Sequence, residues 1–232
     1  MLWHLAFGVE AGVDALLSPT HLLLALGGAI IMSGPWHALW HHDSDYPAQH
    51  PWLVIFSMTF VLSLLAFMTQ FAHPFHHPWV LTSYQTMPAD SGQSIGVASI
   101  MIQTVLFMGL ILMTLRRLRF PFGGFTLLLG LNSLLMISLQ DKYQFLLPAV
   151  GAAVVIEVLY LLIKPSAQRS IRFRLFAILV PVIFYAVYVL TVIFTEGTWW
   201  SIHLLGGAIA ISGITGLLLS YLVLAPAQAE SI

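Results

Sequence analysis

The sequence predicts an all-α integral membrane protein, a bundle of about seven transmembrane helices. Two observations predict it. Of 232 residues only 7% are charged and 59% are hydrophobic, and the mean hydropathy is +0.93. A water-soluble domain carries roughly 25% charged residues, so this chain has too little charge to coat a soluble surface. Apolar runs of about 20 residues also recur along it, each long enough to cross a bilayer as a helix with all backbone hydrogen bonds internal. A soluble enzyme, a nucleic-acid-binding protein and a disordered chain are excluded by the same arithmetic.

The elements follow in order. Residues 1–18 read as an N-terminal interfacial segment, with Trp3, Leu5, Phe7, Val9 and Val13 set among Glu10 and Asp14. The transmembrane domain covers 19–225 and a tail follows at 226–232. Its spans are 19–40, 52–72, 95–115, 121–139, 143–163, 173–195 and 200–224. Pro148 and Pro181 predict kinks in the fifth and sixth. No basic stretch precedes a short apolar core at the N-terminus, so no cleavable signal peptide is expected.

Orientation comes from the loops. Arg116, Arg117 and Arg119 follow the third span, and Lys164, Arg169, Arg172 and Arg174 follow the fifth. Cytoplasmic loops collect Lys and Arg, which puts the N-terminus outside and the C-terminus in the cytoplasm. The expected location is a bacterial cytoplasmic (inner) membrane. One string occurs twice: Gly27-Gly28-Ala29-Ile30 with Ser33-Gly34 in the first span, and Gly206-Gly207-Ala208-Ile209 with Ser212-Gly213 in the seventh. Small residues at this spacing predict close helix approach in both places.

Ten histidines outnumber the eight Lys and Arg together, and cysteine is absent. Any metal site must therefore use nitrogen, oxygen or thioether donors. Sorted by membrane side, His21, His73, His76, His77 and His203 fall at the outer ends of their spans, with Asp141 and Gln140 in the turn between the fourth and fifth. If the first, second and seventh spans are neighbours, three to five imidazoles and a carboxylate converge there. Imidazole with carboxylate suits copper, zinc or iron, and a thiolate-free site on the oxidising face favours copper. His21 and His203 also allow a haem b held between two imidazoles.

Secondary candidates lie elsewhere. His37 and His41 stand one turn apart at the inner end of the first span, followed by His42, Asp43, Asp45 and His50. Glu157 sits inside the fifth span among Val154, Val155, Ile156 and Val158. It reads as a protonated acid bonded to a neighbouring helix or as part of a proton or ion path. Gln103 and Asn132 read as helix-to-helix glue. Met58, Met68, Met101, Met108 and Met113 read as core filler, with a thioether path for Cu(I) as the alternative. A retinal protein is excluded, because Lys142 and Lys164 lie at span ends. No phosphate-cradling loop or nucleophile elbow occurs.

Three resemblances bear on function. His37-x-x-x-His41-His42 and His73-x-x-His76-His77 resemble the histidine boxes of membrane fatty acid desaturases and hydroxylases, which implies a di-iron oxygenase. Against it, a predicted span separates the two boxes and a third paired box is missing. His203-Leu204-Leu205-Gly206-Gly207-Ala208, with its echo at His21, resembles spans of CopD-type copper membrane proteins. The seven-span layout with extracytoplasmic histidines resembles CtaG-type oxidase-assembly proteins. The last two imply copper binding or delivery linked to respiratory oxidases. The leading expectation is thus a membrane metal-binding protein with a histidine-rich outer site. The alternatives are a metal-dependent membrane oxygenase using iron or copper, and an accessory subunit of a larger membrane complex that ligates haem or a pigment. Expected partners are the lipid bilayer and other membrane proteins or further copies of this chain, not nucleic acid.

Overall fold

The computed structural model describes residues 5, 8, 11–41, 50–85 and 88–224. Glu10, His42, Asp43 and Asp45 lie outside the described residues, and His41 is described for its backbone alone. Every regular element among the described residues is helical, apart from two isolated bridges at Leu81–Thr198 and Ser166–Arg169. The helices are α1 (Val13–Leu17), α2 (Pro19–Met32), α3 (Gly34–His41), α4 (Pro51–Met68), α5 (Ala89–Leu115), α6 (Gly124–Ser138), α7 (Leu146–Ile163), α8 (Ser170–Phe194) and α9 (Ile202–Val223). Five of them, α4, α5, α7 with the turn before it, α8 and α9, are long and apolar enough to cross a membrane. α2 and α6 are apolar but have 14 and 15 residues. At 1.5 Å per residue they reach roughly 21–23 Å, short of a hydrocarbon core about 30 Å thick.

The helix limits follow from local chemistry. Proline stands in the first turn of α2 and α4, where a missing N–H costs nothing. The Ser201 hydroxyl caps α9 by accepting from the Leu204 N–H at 3.3 Å. The first predicted span is not one helix but two, α2 and α3, broken at Ser33. Pro35 has no N–H to continue the ladder. The Ser57 hydroxyl of α4 enters the gap, donating to the Met32 carbonyl at 2.5 Å and accepting from the Trp36 N–H at 3.3 Å. It thereby replaces the direct helical bond between those two groups. The Trp36 indole donates to Thr114 Oγ1 at 2.7 Å and fastens α3 to α5.

Six helices close a ring in the order α4, α6, α7, α8, α9, α5 and back to α4, while α2 and α3 lie outside against α4. Met58 and Met108 are fully buried among aliphatic and aromatic side chains, as core filler. α2 has no buried residue at all. The first and second spans are neighbours as expected, but the seventh packs against the sixth and third. Pro181 explains that choice. It leaves the Ala177 carbonyl without its helical donor. That carbonyl lies against Gly216 of α9, where a Cβ has no room. Gly213 likewise lets Val182 and Ile178 approach.

The repeated small-residue string does not mark shared packing. In α9 it is Gly213 that meets α8, whereas Gly206 and Gly207 have nothing within 4 Å of an added Cβ. In the first span Gly28 touches Leu64, and Ser33-Gly34 is the helix break.

Candidate functional site

The chain after α4 does not leave the bundle. A short turn, Gln70–Ala72, leads into a loop that folds back over one end of the ring. Pro74 and Pro78 stop a helix from forming there. Phe75 supplies the reason to fold inward. Its ring sits among those of Phe145, Phe184 and Tyr188, with centroids 5.9, 5.8 and 5.6 Å away. Burying such a side chain stabilises by roughly 2–3 kcal/mol. The Tyr188 hydroxyl donates to the Pro74 carbonyl at 3.1 Å, and the Gln103 amide donates to Thr69 Oγ1 and the Ala72 carbonyl, both at 3.0 Å.

The far side of the loop is fastened to the segment before α9. Trp199 Nε1 donates to the Trp79 carbonyl and Thr198 Oγ1 to the Val80 carbonyl, both at 2.8 Å. At the rim, the Glu196 carboxylate accepts from Gln144 Nε2 at 2.6 Å and Ser83 Oγ at 3.1 Å, and it pairs with Lys142 Nζ at 3.6 Å. The loop is therefore a plug built into the structure.

Three histidines are set in this plug. His73 is 4% exposed, and its Nδ1 accepts from the Phe75 N–H at 3.2 Å, so its proton sits on Nε2. Burial, with His76 nearby, lowers its pKa from 6.5 to about 3. His76 is 8% exposed; burial and then His77 lower its pKa to about 4. Its Nε2 lies 3.3 Å from the Gln140 amide, and its Nδ1 is buried with no hydrogen-bond partner among the described residues. His77 is half-buried, edge-on to His76 with ring centroids 4.5 Å apart, and burial lowers its pKa as well. Its ring also lies beside Trp79 and Tyr84. All three imidazoles are neutral at pH 7, the form that donates a lone pair.

The other candidates are distributed differently. In the turn between α6 and α7 it is Gln140 that reaches the cluster, while Asp141 is exposed in a left-handed backbone conformation with φ 53°. His21 begins α2, with Nδ1 2.7 Å from the Ser18 hydroxyl. His203 is exposed in the first turn of α9. α2 packs mainly on α4, and α9 mainly on α8 and α5, so His21 and His203 begin helices with different principal neighbours. His37 is exposed on α3. The 18 residues of α4, roughly 27 Å of helix, run unbroken in the chain between the two histidine-box strings. Among the described residues, no group of three or more His, Asp or Glu side chains is close enough to hold one metal ion.

Glu157 has a structural task. It is 3% exposed, and its Oε2 accepts from the backbone N–H groups of Phe125 at 2.9 Å and Thr126 at 3.2 Å. Those are unpaired donors of the first turn of α6, a position that favours a carboxylate. Tyr160, one turn further along α7, accepts from the Phe120 N–H at 3.0 Å. Together they fix the chain entering α6.

Two features of the site escape a reading by motif. Gln140 approaches His76 only because the α6–α7 turn and the loop meet at one end of the ring. The depth of the loop rests on Phe75, whose apolar bulk between two prolines was the available signal. No family model matches the chain, and no curated protein and no solved structure matches it significantly.

Proposed function

We propose that this is an integral membrane metal-binding protein and that His76 and His77 receive the ion, with copper the first candidate. One observation carries the reading: two adjacent neutral imidazoles, one of them with a buried nitrogen that has no hydrogen-bond partner among the described residues. Buried polar atoms are usually paired, and a bound ion is one explanation for one that is not. A half-turn of the Gln140 amide lets its oxygen accept the Nε2 proton of His76. Nδ1 then offers a lone pair, and Gln140 becomes the outer partner that orients a ligating imidazole. Imidazole suits copper, and zinc and iron follow.

Two protein donors leave coordination positions open. This suits an ion that is received and passed on better than one held permanently as a structural element. In this reading the chain crosses the bilayer seven times, with the histidine loop outside and the basic loops after α5 and α7 in the cytoplasm. A partner membrane protein completes the coordination during transfer.

Metal analysis of the purified protein, with an absorption spectrum, tests the proposal. The wild type is expected to hold copper at one equivalent or less, and the H76Q/H77Q double variant to hold none. Retention of copper by the double variant, or its absence from the wild type under copper loading, refutes the site. A Soret band would instead favour a haem-ligating accessory subunit.

A further inference from the structure

Beneath the loop lies a small cavity whose wall is more polar than the middle of a helical bundle requires. It is bounded by His73, by Gln103 of α5, Asn132 of α6 and Tyr185 of α8, and otherwise by apolar side chains. The centre of a water-sized sphere has about 10 Å³ to move in. That is the space for roughly one water molecule.

The polar atoms on this wall form a defined set. His73 accepts through Nδ1, so its Nε2 carries a hydrogen and can only donate. Both amide hydrogens of Gln103 are committed, to Thr69 Oγ1 and to the Ala72 carbonyl, which leaves its Oε1 as an acceptor. Asn132 is 8% exposed, and its Oδ1 is buried with no hydrogen-bond partner among the described residues. The wall thus offers the His73 Nε2–H as a donor, the Gln103 Oε1 as an acceptor, and the Asn132 amide and Tyr185 hydroxyl, each of which can do either.

We propose that this cavity binds a single water molecule, which ties His73 of the loop to Asn132 and Gln103 of the bundle. A water molecule donates up to two hydrogen bonds and accepts up to two, so it can accept from His73 and donate to Gln103 and Asn132 at once, and buried waters typically make about three. An ammonium or alkali cation would meet the His73 Nε2–H as a repulsive partner, and a methyl-sized apolar group would leave the Asn132 oxygen unsatisfied. The water holds His73 in one tautomer and pins the base of the loop from below. It does not depend on metal binding.

X-ray radiolytic labelling of the protein in nanodiscs tests this, because hydroxyl radicals form from bound water and oxidise the side chains around it. Phe75, Phe107 and Tyr185, which wall the cavity, are expected to be oxidised well above Phe125, which is also buried but lies outside it. In Asn132→Leu, close in volume but without the acceptor, their labelling is expected to fall to the Phe125 level. Labelling of the cavity side chains no higher than that of Phe125 in the wild type overturns the proposal, as does full labelling in Asn132→Leu. If the variant does not assemble, the comparison within the wild type decides alone.

Discussion

Burying His73 makes the loop sensitive to acid. Its pKa is held at about 3 in the folded protein against 6.5 when exposed. Between these values the unfolded chain binds the extra proton and the folded chain does not. Stability therefore rises with pH through this window and is lost as pH falls, by at most about 1.4 kcal/mol per unit for this one group. Thermal unfolding in nanodiscs should show a lower midpoint at pH 4.5 than at pH 7.5. In His73→Asn, whose amide oxygen can replace Nδ1 as acceptor for the Phe75 N–H, that difference should shrink. An unchanged pH dependence in the variant would place the sensitivity elsewhere. Glu157 teaches the converse lesson at this scale. Its carboxyl group inside an apolar helix was legible in the sequence, but its role was not. That role depends on the first turn of α6 lying beside it, 31 to 32 residues away in the chain.

Among the elements, the pair α8–α9 is held by shape. Pro181 frees a carbonyl, and Gly216 makes room for it. Gly216→Ala should cost about 1–3 kcal/mol by overpacking. Gly206→Ala, in the same helix but with nothing within 4 Å of the new methyl, should be neutral or stabilise by up to about 1 kcal/mol. Denaturant unfolding of both variants checks this. Equal damage from the two would mean that the Gly206 face packs on another molecule. The repeated string in α2 and α9 shows why motif spacing was a poor guide here. Spacing sets which residues share a helix face, but not which face meets a neighbour. The break in the first span has the same origin. Pro35 was visible in the sequence, whereas the Ser57 hydroxyl that makes the break tolerable comes from α4.

For the whole molecule, α2 and α6 set how many helices cross the bilayer. Five are long and apolar enough, and α2 and α6 are shorter. The chain has no cysteine, so each introduced one is a unique label. Asp14, Gln85 and Gln168 are exposed at the start, in the histidine loop region and in the basic loop after α7. With seven crossings, a membrane-impermeant maleimide added to intact cells labels Asp14→Cys and Gln85→Cys but not Gln168→Cys. Labelling of Gln85→Cys without Asp14→Cys would mean that α2 stays on one side, and labelling of Gln168→Cys would reverse the orientation. The sequence by itself determined the helical class and the approximate helix limits. Those depend on charge content, apolar length and proline, which act locally or by simple summation. It also determined that His73, His76 and His77 belong together, because five consecutive positions cannot separate far. Only the tertiary structure decided that His21 and His203 begin helices with different neighbours, that Gln140 joins the cluster and that Glu157 caps α6. Those facts depend on which helix faces meet, and that is set by close fits such as Gly216 against the Ala177 carbonyl, which no single segment contains.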